Sequence, residues 1–265
     1  MLLREFMKLL LNPKYECLRR SLENIQDLMQ RGTMIHNGRN RLCVIQIAGV
    51  NICIKEYKKP HCINRVVYRF FRPPKGLRAW LHSDILRQAG FDSPVNVAYI
   101  QNNTFFGIGV CYYVSLFQSG QTLYYWSNKS LEEIQVQVHA FALQTARLHD
   151  SRILLRDYTP GNILQFESRF SYVDTNRMKR GVVSIEEGLK NMAGLWVKPE
   201  VADYLTKQYV EARGVTCTQE HISKMRDYRK SFWKRLAKRQ KIKTEKVHQD
   251  LDGSKYYFNI QSTIQ

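Results

Sequence analysis

Lys55, Asp157, Asn162 and Asp174 are the residues whose types and order point to a chemistry. Asp157 and Asn162 lie five apart in Arg156-Asp-Tyr-Thr-Pro-Gly-Asn162, and Asp174 closes the run Phe170-Ser-Tyr-Val-Asp174. Lys55 stands far upstream, in the strand-like run Ile52-Cys-Ile-Lys-Glu-Tyr-Lys58. Phosphoryl transfer from ATP uses such a set in this order. A strand Lys holds the nucleotide phosphates, a loop Asp faces the acceptor hydroxyl, and an Asn with a later Asp holds Mg²⁺. The metal wants hard oxygen ligands, and the transferred phosphoryl group needs positive charge on its equatorial oxygens. Each residue also has a plain structural use: Asp157 and Asn162 as turn formers beside Pro160-Gly161, Asp174 as a helix cap. The combination carries more than its parts, because Asp157 follows a long helical run ending at Leu148-His149 and apolar Tyr172-Val173 precede Asp174.

These residues need elements to position them. Residues 1–30 read as a helical lead-in, on the apolar spacing of Leu18, Leu22, Ile25, Leu28 and Met29. Residues 33–57 read as three short strands with turns at Asn37-Gly38 and Ala48-Gly49, which puts Lys55 on the third. A helix is predicted over 75–89, closed by Gly90, and strands over 95–100 and 105–117. Ser130-Leu-Glu-Glu133 is a capping box that opens a long amphipathic helix to about His149. A strand pair over 163–166 and 170–174 follows, then helices over 184–196, 199–212 and 217–240. The reading is an α+β chain: an N-terminal antiparallel sheet lobe at 31–117, a hinge near Ser115–Gln118, a mostly helical lobe at 118–240 and a tail at 241–265.

Composition bounds the partners. The 265 residues carry 41 Lys+Arg against 23 Asp+Glu, a net charge of +18, which attracts polyanions: nucleic acid, nucleotide phosphates or anionic lipid. With 44% hydrophobic residues the chain can build a core, so disorder throughout is excluded. Six cysteines (17, 43, 53, 62, 111 and 217) show no CxxC and read as reduced thiols of a cytosolic protein. The start carries Arg4, Glu5 and Lys8 and no apolar run of signal-peptide length, so secretion is not expected. Residues 93–128 contain no charge, yet their apolar centre at 105–117 is shorter than the roughly 20 residues of a spanning helix. Two basic stretches stand out. Residues 58–82 hold no acid but do hold Lys58, Lys59, His61, Arg65, Arg69, Arg72, Lys75 and Arg78 among Tyr68, Phe70, Phe71 and Trp80. Residues 224–246 hold eleven Lys/Arg against two acids, with Tyr228, Phe232 and Leu236 on one helical stripe. Such mixtures suit an anionic membrane surface, with a solvated face as the alternative reading. No recognition motif turns the charge into specific nucleic-acid binding.

The stretch Leu154-Leu-Arg-Asp-Tyr-Thr-Pro-Gly-Asn-Ile-Leu164, followed by Tyr172-Val-Asp-Thr-Asn-Arg-Met178, resembles the bacterial lipopolysaccharide core kinases. These are the 3-deoxy-manno-octulosonic acid (Kdo) and heptose kinases, which share a protein-kinase-like fold. Residues 12–16, 58–72, 90–100 and 226–235 are similar to members from Bacteroides-type bacteria, so the resemblance spans roughly 12–236. It implies a two-lobed protein-kinase-like fold and ATP-dependent phosphorylation of a sugar hydroxyl, Kdo in the first place, on a Kdo–lipid A type glycolipid. It further implies a protein that works in the cytoplasm, peripheral to the inner membrane. Carried over residue by residue, Asp157 orients and deprotonates the acceptor hydroxyl, Lys55, Asn162 and Asp174 bind ATP, and Asn162 with Asp174 binds Mg²⁺. His61, Arg65, Arg69 and Arg72 fall to the substrate or membrane surface.

Three departures from the family pattern are visible. Leu155 stands where the family commonly has His, two residues before the catalytic Asp. The helix at 75–89 lacks a Glu to pair with Lys55; Asp84 is its single acid, and Glu56 lies on the opposite strand face from Lys55. The glycine-rich phosphate loop shrinks to Asn37-Gly38-Arg39-Asn40. Another small-molecule or protein kinase of this fold, and a catalytically silent basic adaptor for membrane or RNA, are the competing readings. His149 is expected to be a structural hydrogen bonder behind the catalytic loop.

Overall fold

A computed structural model describes residues 6–38, 40–59, 73–104 and 107–239. The chain divides into two compact units. Unit 1 holds the residues up to Ser119 together with Asp174–Arg177; unit 2 holds Gly120–Val173 and the residues from Met178 on.

Unit 1 is built on a six-stranded antiparallel sheet. Its strands are β1 (Phe6–Leu11), β2 (Thr33–Asn37), β3 (Asn40–Ile47), β4 (Val50–Tyr57), β5 (Asn96–Thr104) and β6 (Gly107–Leu116), in the order β1-β5-β6-β4-β3-β2. Alternation along each strand sorts its side chains to two faces. Ile52, Ile54, Tyr112 and Val114 pack in one cluster with Leu18, Leu22, Ile25, Leu28 and Met29 of α1 (Arg19–Glu23), α2 (Ile25–Arg31) and the turn before them. Tyr57, Tyr99, Cys111 and Tyr113 pack in another with Ala79, Leu77 and Trp80 of α3 (Lys75–Gln88). Each fully buried Leu or Ile contributes about 1.5–3 kcal/mol, so two covered faces give the sheet its rigidity.

One element of the helical lead-in is different: Phe6–Leu11 is a strand, in register with β5 from Phe6↔Asn103 to Leu11↔Ala98. Its leucines favour a helix, but six residues stopped by Asn12-Pro13 are too short to hold one alone, and pairing satisfies the open edge of β5. Lys55 therefore sits on the fourth strand. Helical structure begins only at Pro13, and it packs into unit 1.

Unit 2 centres on α4 (Leu131–Asp150), whose Ile134, Val138, Phe141, Ala142 and Leu148 are buried. Its first turn is held as expected, Ser130 N–H donating to the Glu133 carboxylate at 2.7 Å. Short strands β7 (Gln121–Thr122), β9 (Ile163–Phe166) and β10 (Arg169–Tyr172) form one small sheet; β8 (Ile153–Leu155) and β11 (Met178–Arg180) form another. Then come α5 (Ile185–Met192), α6 (Pro199–Ala212) and α7 (Gln219–Arg239). Of the expected α7 stripe, Leu236 packs in a cluster with Trp196 and Tyr228 donates to Glu186 Oε1 at 2.8 Å. The neighbouring positions add to it, Trp233 meeting Trp196 at 5.4 Å and Arg229 donating to the Leu195 and Val197 carbonyls at 2.8 and 2.6 Å. Lys230, Lys234, Arg235 and Lys238 are exposed on the same helix. No described helix is long and apolar enough to cross a membrane.

Gly188 marks the tightest approach in unit 2. A Cβ there would overlap the Tyr209 hydroxyl of α6 and lie 3.0 Å from His149 Nδ1. Gly188→Ala gains helix propensity but forces these groups apart, so we expect a net loss of about 1–3 kcal/mol. Urea denaturation of the two proteins checks this, and a gain in stability would show that α5 can move away from α6.

Candidate active site

The loop after β8 is fixed from both ends. Tyr158 is buried and donates to Thr145 Oγ1 of α4 at 2.8 Å, Thr145 itself donating to the Phe141 carbonyl. Its ring also stacks on Phe141 at 5.8 Å. Asp157 immediately precedes this anchor. The Asp157 carbonyl accepts from Thr159 N–H and from Asn162 Nδ2, both at 2.9 Å, so Asn162 closes the loop onto the residue five before it. At Gly161 a Cβ would lie 2.9 Å from the Tyr124 ring, which is why the turn after Pro160 takes glycine. The Asn162 carbonyl then accepts from Val173 N–H at 2.9 Å, and the next residue is Asp174.

Within unit 1, Lys55 Nζ lies 2.7 Å from Asp174 Oδ2, and the Lys55 side chain is only 12% exposed. Asp174 Oδ1 accepts from Asn176 Nδ2. Asp174 has φ +55°, a left-handed conformation that Asp tolerates better than most residues and that its neighbours must hold. The Lys55 amine also stands 5.4 Å over the Tyr57 ring. Burial, and secondly the Asp174 charge, pushes the Tyr57 phenol well above its ordinary range, so it adds no anion here. As expected, α3 supplies no acid to Lys55. Asp84 pairs with Arg87, and Glu56 sits on the other sheet face, where it accepts from Arg41 Nε at 2.9 Å. The partner of Lys55 is Asp174 itself.

Fold comparison adds to this geometry. No protein-family profile matches the chain, and no curated protein matches it. A solved structure of WaaP in complex with acyl carrier protein matches with a TM-score of 0.58 at 14% identity, over 88% of this chain and 98% of that one. The chain has a two-lobed, kinase-like fold.

The loop resemblance makes Asn162 and Asp174 the expected ligands of Mg²⁺. With its Nδ2 committed to the Asp157 carbonyl, Asn162 keeps its amide oxygen for a cation, and Asp174 offers a carboxylate. Each is by type a hard oxygen donor of the kind Mg²⁺ takes, Asn162 in unit 2 and Asp174 in unit 1. Lys55 and Asp174 are together in unit 1, and Asp157 and Asn162 in unit 2. His61, Arg65, Arg69 and Arg72 lie outside the described residues.

Behind the Asp157 loop runs a hydrogen-bond chain that the sequence shows only in part. Arg213 donates to the Tyr209 hydroxyl at 2.7 Å, and that hydroxyl donates to His149 Nδ1 at 2.9 Å. His149 Nε2 donates to Asn191 Oδ1 at 3.3 Å, and Asn191 Nδ2 donates to the Leu155 carbonyl at 2.9 Å. His149 is thus the structural hydrogen bonder expected of it. Leu155 is supported through its carbonyl rather than by a side-chain hydrogen bond, and its side chain is buried. Nothing in the sequence around Asn191 announces its part.

Burial pushes His149 down from 6.5 to about 4. Between those values the unfolded chain binds a proton that the folded chain refuses, so stability falls as pH is lowered, by on the order of 3 kcal/mol across the window. His149→Gln keeps a neutral hydrogen-bonding side chain, and its stability is expected to change less between pH 6.5 and 4. Urea midpoints measured across that range test it; equal pH slopes for both proteins would remove His149 as the source.

Proposed function

We propose that the protein is an ATP-dependent kinase of the lipopolysaccharide inner core, phosphorylating a hydroxyl of Kdo on a lipid A type glycolipid. The observation that carries the reading is the Lys55–Asp174 contact at 2.7 Å, which joins two residues far apart in sequence that phosphoryl transfer assigns to phosphate and metal. The shared fold supports it, as does the family resemblance of the loop that holds Asp157 and Asn162.

In this reading Lys55 and Asp174 neutralise each other until nucleotide arrives. Lys55 then turns to the phosphate oxygens, and Asp174 with Asn162 holds Mg²⁺. Mg²⁺ held by these residues would supply positive charge beside the phosphates. Asp157 orients the acceptor hydroxyl in line with the γ-phosphorus. The new oxygen–phosphorus bond forms as the bond to ADP breaks, and the hydroxyl proton passes to Asp157 late, so positioning is its main contribution. The Asn191 bond to the Leu155 carbonyl steadies the loop that does this.

A glycolipid acceptor calls for a membrane-facing surface. Lys230, Lys234, Arg235 and Lys238 form an exposed cationic stripe on α7 without carboxylate partners among the described residues. Each cation near an anionic bilayer is worth about 1 kcal/mol. Changing all four to Gln is expected to weaken binding to phosphatidylglycerol-containing vesicles roughly thirtyfold or more. Equal sedimentation of both proteins with those vesicles would remove this surface from the reading.

The deciding experiment follows Kdo-bearing lipid A precursor by mass spectrometry, with Mg·ATP and either wild type, Asp157→Asn or Lys55→Met. A gain of one phosphate with wild type, reduced about a thousandfold or more in the variants, is the expected outcome. No transfer by wild type to Kdo, with transfer to another sugar or to a protein, would move the acceptor; no Mg·ATP binding at all would end the kinase reading.

A further inference from the structure

Helix α3 is where a kinase-like fold would offer an acid to the strand Lys, and it instead reaches the residue next to Asp174. His82 Nδ1 lies 2.6 Å from the Thr175 carbonyl, which can only accept, so the imidazole donates. Thr175 Oγ1 donates to the Ala79 carbonyl at 3.3 Å and lies 3.2 Å from Ser83 Oγ. Ser83 Oγ is 3.2 Å from the Tyr113 hydroxyl, which donates to Asn96 Oδ1 at 2.7 Å. Asn96 Nδ2 returns to the Trp80 carbonyl at 3.0 Å.

Ser83, Asn96 and Thr175 are each at most 4% exposed, so these bonds work away from competing water. Ala79 and Ser83 are one turn apart on α3, which lets one helix face grip a single residue. The gripped residue directly follows Asp174, whose left-handed φ of +55° needs an outside constraint.

We propose that this clamp of His82, Ser83 and Thr175 positions Asp174 against Lys55, so that α3 governs the site through hydrogen bonds to Thr175 rather than through an ion pair to Lys55. The importance of the clamp for catalysis rests on the kinase reading above; its effect on the Lys55–Asp174 contact does not. These are positioning residues: none of them is assigned to touch nucleotide or metal. Releasing Thr175 frees Asp174 to leave its conformation, which weakens metal binding without removing a ligand.

The test uses full-length protein labelled with ¹³Cε-lysine, with the Lys55 signal assigned by Lys55→Arg. Thr175→Val keeps the shape and removes the hydroxyl; Thr175→Ser restores it. We expect the Thr175→Val signal to move toward the position found in Asp174→Ala, while Thr175→Ser stays near wild type. In parallel, the Mg²⁺ concentration that half-saturates ATP binding should rise about tenfold or more in Thr175→Val and recover in Thr175→Ser. Should Thr175→Val fail to fold, Ser83→Ala takes its place. A Lys55 signal unmoved by the folded variants would overturn the proposal. Absence of Mg·ATP binding by wild type would count against the kinase reading alone, because the lysine signal decides the clamp without nucleotide.

Discussion

An amine and a carboxylate held 2.7 Å apart, Lys55 on β4 and Asp174 just past β10, set the terms for much of unit 1. A mostly buried lysine needs an anion nearby, since desolvation without a partner would cost several kcal/mol. Glu56 cannot serve, because strand alternation puts it on the other face with Arg41. Asp84 cannot serve either, being tied to Arg87. The carboxylate therefore comes from a chain segment far along the sequence, and the fold must deliver that segment to the sheet. This explains why Asp174–Arg177 clusters with unit 1 although the residues on either side belong to unit 2.

Unit 2 meets a different demand, which is to hold a short loop still without filling it with side-chain bulk. Tyr158 is buried against Phe141 and Thr145, Asn162 closes on the Asp157 carbonyl, and Asn191 supports the Leu155 carbonyl. The last of these depends on a buried, neutral His149 fed by Tyr209 and Arg213. Backbone carbonyls are the points of support, so the loop leaves little trace in side-chain types outside Asp157 and Asn162.

The legibility of these parts in sequence follows from that. Lys55, Asp157, Asn162 and Asp174 stand out because few residue types can handle phosphate, a proton and a hard cation, and their order along the chain is constrained. Strands β3, β4, β9 and β10 and helices α3, α4, α6 and α7 are visible through periodicity, caps and turn dipeptides. Strand β1 is not, because Leu9, Leu10 and Leu11 carry helix propensity and become a strand only once β5 offers an edge. Ser83, Thr175 and Asn191 are invisible for a related reason: hydroxyls and amides are common, and theirs acquire meaning from partners 30 to 96 residues away.

That the strip Asp174–Arg177 completes unit 1 bears on how the chain is made. A ribosome releases the whole sheet, from β1 to β6, and α3 with it, well before Thr175 appears. At roughly 5–20 residues per second, the interval between Ser119 and Thr175 is on the order of several seconds. Through that interval Ser83 and the Ala79 carbonyl lack the hydroxyl that they share in the finished protein. The first unit is thus synthesised early and finished late, and a nascent chain halted before Asp174 has its sheet and α3 but neither the carboxylate that pairs with Lys55 nor the hydroxyl that joins Ala79 to Ser83.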